Sequence, residues 1–234
     1  MTIEKNAFKD GVKASLPTAL GYVSIGIACG VVGASSGLSP LQMGLMSAMI
    51  YAGSAQFAFC ALVVSGADLP LLVVTVFLIN LRNFLMSLHA TTVFPKVSIW
   101  HGIGIGTLIT DESYGVMLNE SLRTKEISPF WMHGNNLAGY ITWVVSVYLA
   151  TILGAYIPDP KIFGLDFALV AMFVSIFESQ LAAMLQLLAK QKLFLILAAV
   201  TVSYVLLLLV VSSSVAVLGA TFIGCFVGVL LDDK

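Results

Sequence analysis

The segment 14-ASLPTALGYVSIGIACGVVGA-34 carries no charged side chain, and its length decides the class of fold. A helix of about 20 apolar residues is long enough to cross the hydrocarbon core of a bilayer. Similar apolar segments recur along the chain, whereas the strands of a membrane barrel would alternate polar and apolar residues over about ten positions. The sequence therefore predicts an all-α protein, a polytopic bundle of transmembrane helices.

The composition indicates the same class. Of the 234 residues, 59% are hydrophobic and only 10% are charged, whereas soluble domains carry about a quarter charged residues. The net charge of -1 and the absence of a basic tract argue against a nucleic-acid partner. No soluble domain is indicated, so we expect residues 1–234 to form a single transmembrane domain.

Motifs for catalysis or metal binding do not occur in the sequence. The three cysteines, Cys29, Cys60 and Cys225, lie in different apolar segments without the spacing of metal ligands. Neither a phosphate-binding loop nor a His-Glu metal motif nor a nucleophile elbow is present. We therefore expect no disulfide, no metal, no cofactor and no enzymatic activity.

Eight membrane spans are predicted, at 14–34, 41–64, 69–88, 102–119, 135–157, 166–188, 193–211 and 214–231. An even number of spans places both termini on one side, and the distribution of basic residues favours the cytoplasm for that side. Only Lys96 and Lys161 then lie outside. The larger set lies inside and consists of Lys5, Lys9, Lys13, Arg123, Lys125, Lys190, Lys192 and Lys234.

Four ionisable residues lie near the middle of predicted spans three, four and six. They are Arg82, Asp111, Glu112 and Glu178. A charged side chain at the bilayer centre costs roughly 2.5 to 3.5 kcal/mol on insertion scales, so such residues usually face a bundle interior or a substrate path. We expect the four to lie at similar depth and to share one site.

Span two contains a cluster of small and polar residues at mid-depth, formed by Tyr51, Gly53, Ser54 and Gln56. One interpretation is a helix break, whose free amide groups would favour a substrate carboxylate. The other is close helix packing through Gly53 and Ser54. The sequence leaves both open.

Span three carries a polar seam at its middle. Asn80 and Asn83 are three residues apart and lie on one helical face, with Arg82 on an adjoining face. A guanidinium binds a carboxylate bidentately. That carboxylate is either part of a substrate or the side chain of Asp111 or Glu112 in a fixed ion pair.

The three carboxylates of spans four and six suggest proton coupling. Asp111 and Glu112 point about 100° apart on a helix, so one is free to face Arg82 while the other faces a cavity. Burial and neighbouring like charge both favour the neutral carboxyl, so we expect one of Asp111, Glu112 and Glu178 to be protonated during part of a cycle. For Glu178, interhelical hydrogen bonding is the alternative.

Several of these motifs are similar to those of the AzlC-type branched-chain amino-acid permeases, the large subunit of a bacterial two-component exporter. The resemblance rests mainly on the first half of the chain. It is carried by Lys13-Ala-Ser-Leu-Pro17, Ile50-Tyr-Ala-Gly-Ser-Ala-Gln-Phe57, Leu81-Arg-Asn-Phe-Leu85 and Leu108-Ile-Thr-Asp-Glu112.

This resemblance implies proton-coupled export of valine, leucine and isoleucine across the bacterial cytoplasmic membrane, together with a small AzlD-type membrane subunit. A zwitterion needs donors for its carboxylate, which Arg82 or the break at Gly53 and Ser54 would supply. Asp111 or Glu178 would accept its ammonium. The alternative function is a non-transporting accessory subunit whose polar residues form an interhelical network.

Overall fold

The computed structural model describes residues 2–124, 126–154, 156, 174, 177–178, 181–182, 184–185, 188–211 and 213–231. These residues form helices and no strand, which confirms the predicted all-α class. The chain divides into two compact units, Met1–Met172 and Phe173–Lys234. A single transporter domain over residues 1–234 stays a prediction.

The described part of the first unit contains eight helices. They are α1 (Thr2–Ala14), α2 (Leu16–Ser35), α3 (Pro40–Ile50), α4 (Gly53–Val64), α5 (Leu69–Val93), α6 (Ile99–Gly106), α7 (Asp111–Arg123) and α8 (Pro129–Gly154). Only α2, α5 and α8 among them are long and apolar enough to cross a membrane. The remaining helices are too short to do so alone.

Helices α2 and α8 pack side by side and run in the same direction. Gly26 of α2 lies against Ser146, and Val31, one to two turns later, lies against Gly154 near the end of α8. Between these points, a Cβ built on Gly30 would lie 2.5 Å from the carbonyl oxygen of Val147. Small residues therefore allow the close approach that makes this pair the framework of the unit.

Helices α3 and α4 form a hairpin, here called the first hairpin. Helix α3 runs antiparallel to α8, because Gly44 lies against Tyr148 whereas the carbonyl of Ala48 accepts a hydrogen bond of 3.0 Å from Tyr140. The chain then reverses at Tyr51 and Ala52, here called the first tip.

Two contacts establish that α4 turns back along α3. Gln56 Nε2 donates a hydrogen bond of 2.7 Å to Ser47 Oγ. The side chain of Cys60 lies beside Ser36, just after the end of α2. A continuous helix would separate positions 47 and 56 by about 13 Å at 1.5 Å per residue. Both ends of the first hairpin consequently lie at the end of the unit where α2 and α8 finish.

Helices α6 and α7 form the second hairpin, which enters from the other end. On α6, His101 Nδ1 lies 2.8 Å from His133 Nε2, and the carbonyl of Ile105 accepts from Asn136 at 3.0 Å. The contacts therefore advance in the same direction along α6 and α8.

Helix α7 returns along α8 in the opposite direction. The carbonyl of Ser113 accepts a hydrogen bond of 3.1 Å from Asn135. One turn later, Met117 is buried in a cluster with Phe94, Trp131 and Met132. The reversal between α6 and α7 occupies residues 107–110, here called the second tip.

The prediction that segments 41–64 and 102–119 each form one spanning helix is therefore wrong. Hydropathy averages over a window and does not detect a reversal inside an apolar segment. Each hairpin returns to the side from which it enters, so each one reverses the direction of the helices that follow. Because two predicted spans form hairpins, α8 keeps the direction that the eight-span prediction gave it. Spans 14–34, 69–88 and 135–157 correspond to α2, α5 and α8, with ends that differ by a few residues.

The hairpins also change the placement of charge. The N-terminal half of α1 lies at one end of the unit, here called the basic end, together with residues 94–98 and 126–128. Lys96, which the eight-span prediction placed outside, belongs to this end. The connections 36–39 and 65–68 at the opposite end contain no lysine or arginine.

The second unit contains α9 (Lys190–Leu207) and α10 (Ser213–Leu231), which match predicted spans seven and eight. They form an antiparallel pair, since Gly219 lies against Leu207 and Gly228 against Ile196. Helix α9 is long and apolar enough to cross a membrane. Predicted span 166–188 lies mostly outside the described residues.

Candidate functional site

The first tip leaves the start of α4 without a cap. Tyr51 adopts a left-handed backbone conformation with φ of 44°, which is uncommon for a residue other than glycine. Ala52 occupies the extended position before the helix, and no described side chain caps α4. The first amide groups of α4 thus keep unused donors at the positive end of a helix, in a buried setting. The helix break is the interpretation that the structure supports.

The second tip is capped by its own side chains. Thr110 Oγ1 accepts from the amide of Ser113, and Ser113 Oγ accepts from the amide of Thr110. Asp111 and Glu112 add two carboxylates to the first turn of α7, where negative charge is favourable. This run of a capping residue followed by acids is a helix-start signal that the sequence already contained.

Arg82, in the middle of α5, joins the two tips. Its Nη2 atom donates a hydrogen bond of 2.8 Å to Ser54 Oγ in α4 and lies 2.9 Å from Asp111 Oδ2 in α7. The fixed ion pair considered for Arg82 is thus present, with Asp111 as the partner. A single guanidinium nitrogen therefore contacts the first turns of both α4 and α7.

Glu112 takes a different partner, as its position one residue after Asp111 predicts. The Tyr22 hydroxyl donates a hydrogen bond of 2.8 Å to Glu112 Oε2 and lies 2.6 Å from Thr110 Oγ1. The ring of Tyr22 is held edge-to-face by Tyr51 and Trp143. Sequence reasoning missed Tyr22, because one tyrosine in an apolar span gives no pattern.

A cavity of about 530 Å³ lies beside the two tips. Asn83 Nδ2 donates to Asn80 Oδ1 at 3.4 Å, which confirms that these amides share a face of α5. The buried Oδ1 of Asn83 has no partner among the described residues. The cavity is lined by Met49, Ile50, Tyr51, Asn80, Asn83, Phe84, Ser87, Ile103, Gly106, Thr107 and Ile109.

Gln56 is not part of this cavity. It is fully buried, donates to Ser47, and accepts a hydrogen bond of 2.7 Å from Trp143 Nε1. Both polar atoms of its amide are therefore engaged in holding the first hairpin together and against α8. A substrate-binding role for Gln56 stays a prediction.

Glu178 belongs to the second unit, where its side chain is exposed. Its placement in one layer with Arg82, Asp111 and Glu112 stays a prediction. The three residues of the first unit are brought together as expected, since Arg82 contacts Asp111 directly and Glu112 follows on the same helical turn.

The arrangement suits a ligand that carries both charges. Unused amide donors and a guanidinium attract an anionic group, and the Asp111 carboxylate attracts a cationic one. The residues that line the cavity include no charged side chain and several apolar ones, so the cavity fits an aliphatic group. Its volume falls within the range of about 300 to 1,000 Å³ that is usual for small-molecule sites.

Comparison with known proteins places both hairpins in a described family. The family model AzlC protein matches residues 17–157. The chain is 29% identical over 182 residues to inner membrane protein YgaZ of Escherichia coli strain K12, covering 72% of this chain and 71% of that protein.

Two further relatives have similar coverage. The branched-chain amino acid transport protein AzlC of Bacillus subtilis is 27% identical over 182 residues, covering 74% of this chain and 68% of that protein. An uncharacterized membrane protein of Archaeoglobus fulgidus is 28% identical over 180 residues, covering 74% and 76%. No solved structure matches the chain significantly. Because the family match covers more than half of the sequence, the chain belongs to the AzlC family of membrane transport proteins.

Proposed function

We propose that this chain is a secondary transporter subunit that exports valine, leucine and isoleucine across the bacterial cytoplasmic membrane, coupled to protons. A relative of 27% identity is named a branched-chain amino acid transport protein, which supports the substrate class. A small AzlD-type membrane subunit is the proposed partner, and no catalytic role is proposed for any residue.

The observation that carries this proposal is the contact of Arg82 with both tips beside an uncapped helix start. A substrate carboxylate placed there would accept hydrogen bonds from the amides at Gly53 and Ser54 and pair with the Arg82 guanidinium. Transporters with discontinuous helices bind anionic substrate groups at such helix starts.

The ammonium group would pair with Asp111. In the observed state Arg82 and Asp111 satisfy each other, so a zwitterion binds by inserting between them and replacing one ion pair with two. The aliphatic side chain then enters the cavity against Met49, Ile50 and Ile109, with Tyr51, Asn80 and Asn83 at its polar edge. Burial of the apolar surface of this side chain contributes roughly 25 cal/mol per Å² to the free energy of substrate binding.

The opposed hairpins supply two gates for alternating access. The first hairpin enters from one end of the unit and the second from the basic end, and their tips face the same site. Basic residues favour the cytoplasmic side, so we place the basic end there. Movement of the second hairpin would admit substrate from the cytoplasm, and movement of the first would release it.

Substrate-dependent counterflow tests this function. Proteoliposomes that contain the full chain, with and without the small partner, are loaded with unlabelled amino acid and offered labelled valine across a range of pH. We expect counterflow with valine, leucine and isoleucine and none with charged amino acids. Absence of counterflow with every branched-chain substrate, even with the partner present, would contradict the proposal. Activity only with the partner would assign the path to both subunits.

A further inference from the structure

Glu112 differs from the neighbouring Asp111 in what it contacts. Asp111 is paired with Arg82 at 2.9 Å, so its carboxylate already has a cationic partner. Among the described residues no lysine, arginine or histidine pairs with Glu112. Its carboxylate instead accepts from Tyr22, whose hydroxyl also lies 2.6 Å from Thr110 Oγ1.

The three groups form a short hydrogen-bonded chain that tolerates either charge state of the carboxyl. With Glu112 ionised, Tyr22 donates to Glu112 and Thr110 donates to Tyr22. With Glu112 protonated, the carboxyl donates to Tyr22 and Tyr22 donates to Thr110. Each state keeps both hydrogen bonds, because a hydroxyl group both donates and accepts.

We infer that Glu112 is the carboxyl that binds and releases the coupling proton, and that Tyr22 is the positioning residue that holds Glu112 at the second tip in both states. This inference rests on the proposed transport function. A proton from one aqueous phase adds to Glu112 Oε2 and leaves to the other phase when the hairpins exchange access.

The surroundings place no competing base directly on Glu112. Helix α2 contributes Tyr22, the first tip contributes Tyr51, and α7 itself contributes Asp111 and Tyr114. Helix α5 contributes Arg82, which is paired with Asp111, and His89, which lies 2.9 Å from the Tyr114 hydroxyl.

Helix α8 also packs against α7 and contributes His133 and Tyr140, which have other partners. His133 contacts His101, and Tyr140 donates to the carbonyl of Ala48. In the first tip, the Tyr51 hydroxyl is buried and has no hydrogen-bond partner among the described residues. It stands close enough to Tyr22 for edge-to-face ring contact, at a centroid distance of 6.5 Å.

The first test separates substrate exchange from proton-driven accumulation in Glu112→Gln. The glutamine amide is neutral in every state and keeps a hydrogen bond to Tyr22. We expect Glu112→Gln to continue valine counterflow, which needs no net proton movement, and to lose valine accumulation driven by a pH gradient. Glu120→Gln, about two turns further along α7, is the matched control and should behave like the wild type in both assays.

Three outcomes of this assay are distinguishable. If Glu112→Gln accumulates valine like the wild type, Glu112 does not carry the proton. If it inserts normally but loses counterflow as well, Glu112 binds substrate and the inference is overturned. If the wild type itself shows no counterflow, the proposed function has failed and not this assignment alone.

Tyr22→Phe tests the positioning role and remains informative if Glu112→Gln does not fold. Phenylalanine keeps the ring packing against Tyr51 and Trp143 and removes only the hydroxyl. We expect the pH profile of gradient-driven accumulation to shift while counterflow persists. An unchanged profile, with or without a loss of thermal stability, would show that Tyr22 is only a packing residue and would overturn its assignment.

Discussion

The two hairpins have similar lengths and opposite orientations, but their tips are built differently. The second tip supplies its own cap through Thr110 and Ser113 and two carboxylates at the start of α7. The first tip supplies neither, and Ala52 stands where a capping side chain would. The helix start at the second tip is therefore capped without a ligand, whereas the helix start at the first tip leaves unused amide donors beside Arg82.

The same helix holds both hairpins, again with unequal contacts. Helix α8 donates to the backbone of the second hairpin through the fully buried Asn135 and Asn136. It donates to the first hairpin through Tyr140 and Trp143. The bonds to the second hairpin lie beside its tip, and buried amides bound to buried carbonyls are costly to break.

The orientation of the hairpins gives the largest expected effect, because it changes the side of the membrane on which the connecting residues lie. In a Cys225→Ser background, Lys96→Cys and Glu126→Cys should react with a membrane-impermeant thiol reagent only after intact cells are permeabilised. Asp68→Cys should react from outside. Eight spanning helices would place position 68 inside and position 96 outside. Labelling of Lys96→Cys in intact cells would therefore contradict the hairpins.

Loss of the contact between the tips should have the next largest effect. Arg82→Ala leaves the partly buried Asp111 without its partner, and loss of a hydrogen bond to a charged group costs about 1.5 to 3 kcal/mol. We expect loss of valine binding together with a lower folded yield. Arg123→Ala, at the end of α7, is the control for removal of a positive charge. A folded Arg82→Ala protein that exports valine at the wild-type rate would exclude Arg82 from the site.

The different burial of the Asn136 and Tyr140 hydrogen bonds predicts a smaller effect on stability. Asn136→Ala leaves the buried carbonyl of Ile105 without its donor, which costs about 1 to 3 kcal/mol. Tyr140→Phe removes a partly buried hydrogen bond and keeps the ring contact with Tyr51, so we expect about 1 kcal/mol or less. Thermal unfolding in detergent measures both, and an inverted order would contradict the comparison.

The sequence predicted the class of fold and the different directions of Asp111 and Glu112, because these follow from hydropathy and helical geometry. It left open whether Arg82 pairs with a substrate, with Asp111 or with Glu112. It did not predict the hairpins. An apolar run has the same hydropathy whether it crosses or reverses, and the left-handed Tyr51 has no local sequence signal. The start of α7 was detectable, since Thr110, Asp111 and Glu112 have the typical order of a helix start.

Residues that act through long-range contacts were beyond sequence reasoning. Tyr22 meets Thr110 and Glu112 across about ninety positions, and Trp143 meets Gln56 across a similar distance. Tertiary packing alone brings these side chains together. The substrate roles of Tyr51, Asn80 and Asn83 stay predictions, now supported by their position at the cavity.

The most direct test of the account is to give the first tip the cap that it lacks. Ala52 has the extended backbone of a capping position, so Ala52→Ser should satisfy a free amide of α4 and stabilise the protein by about 1 kcal/mol. Because the substrate carboxylate needs those amides, the valine Kd should rise several-fold, while Ala61→Ser on the exposed face of α4 leaves it unchanged. A stabilised Ala52→Ser protein with the wild-type valine Kd would contradict the central claim.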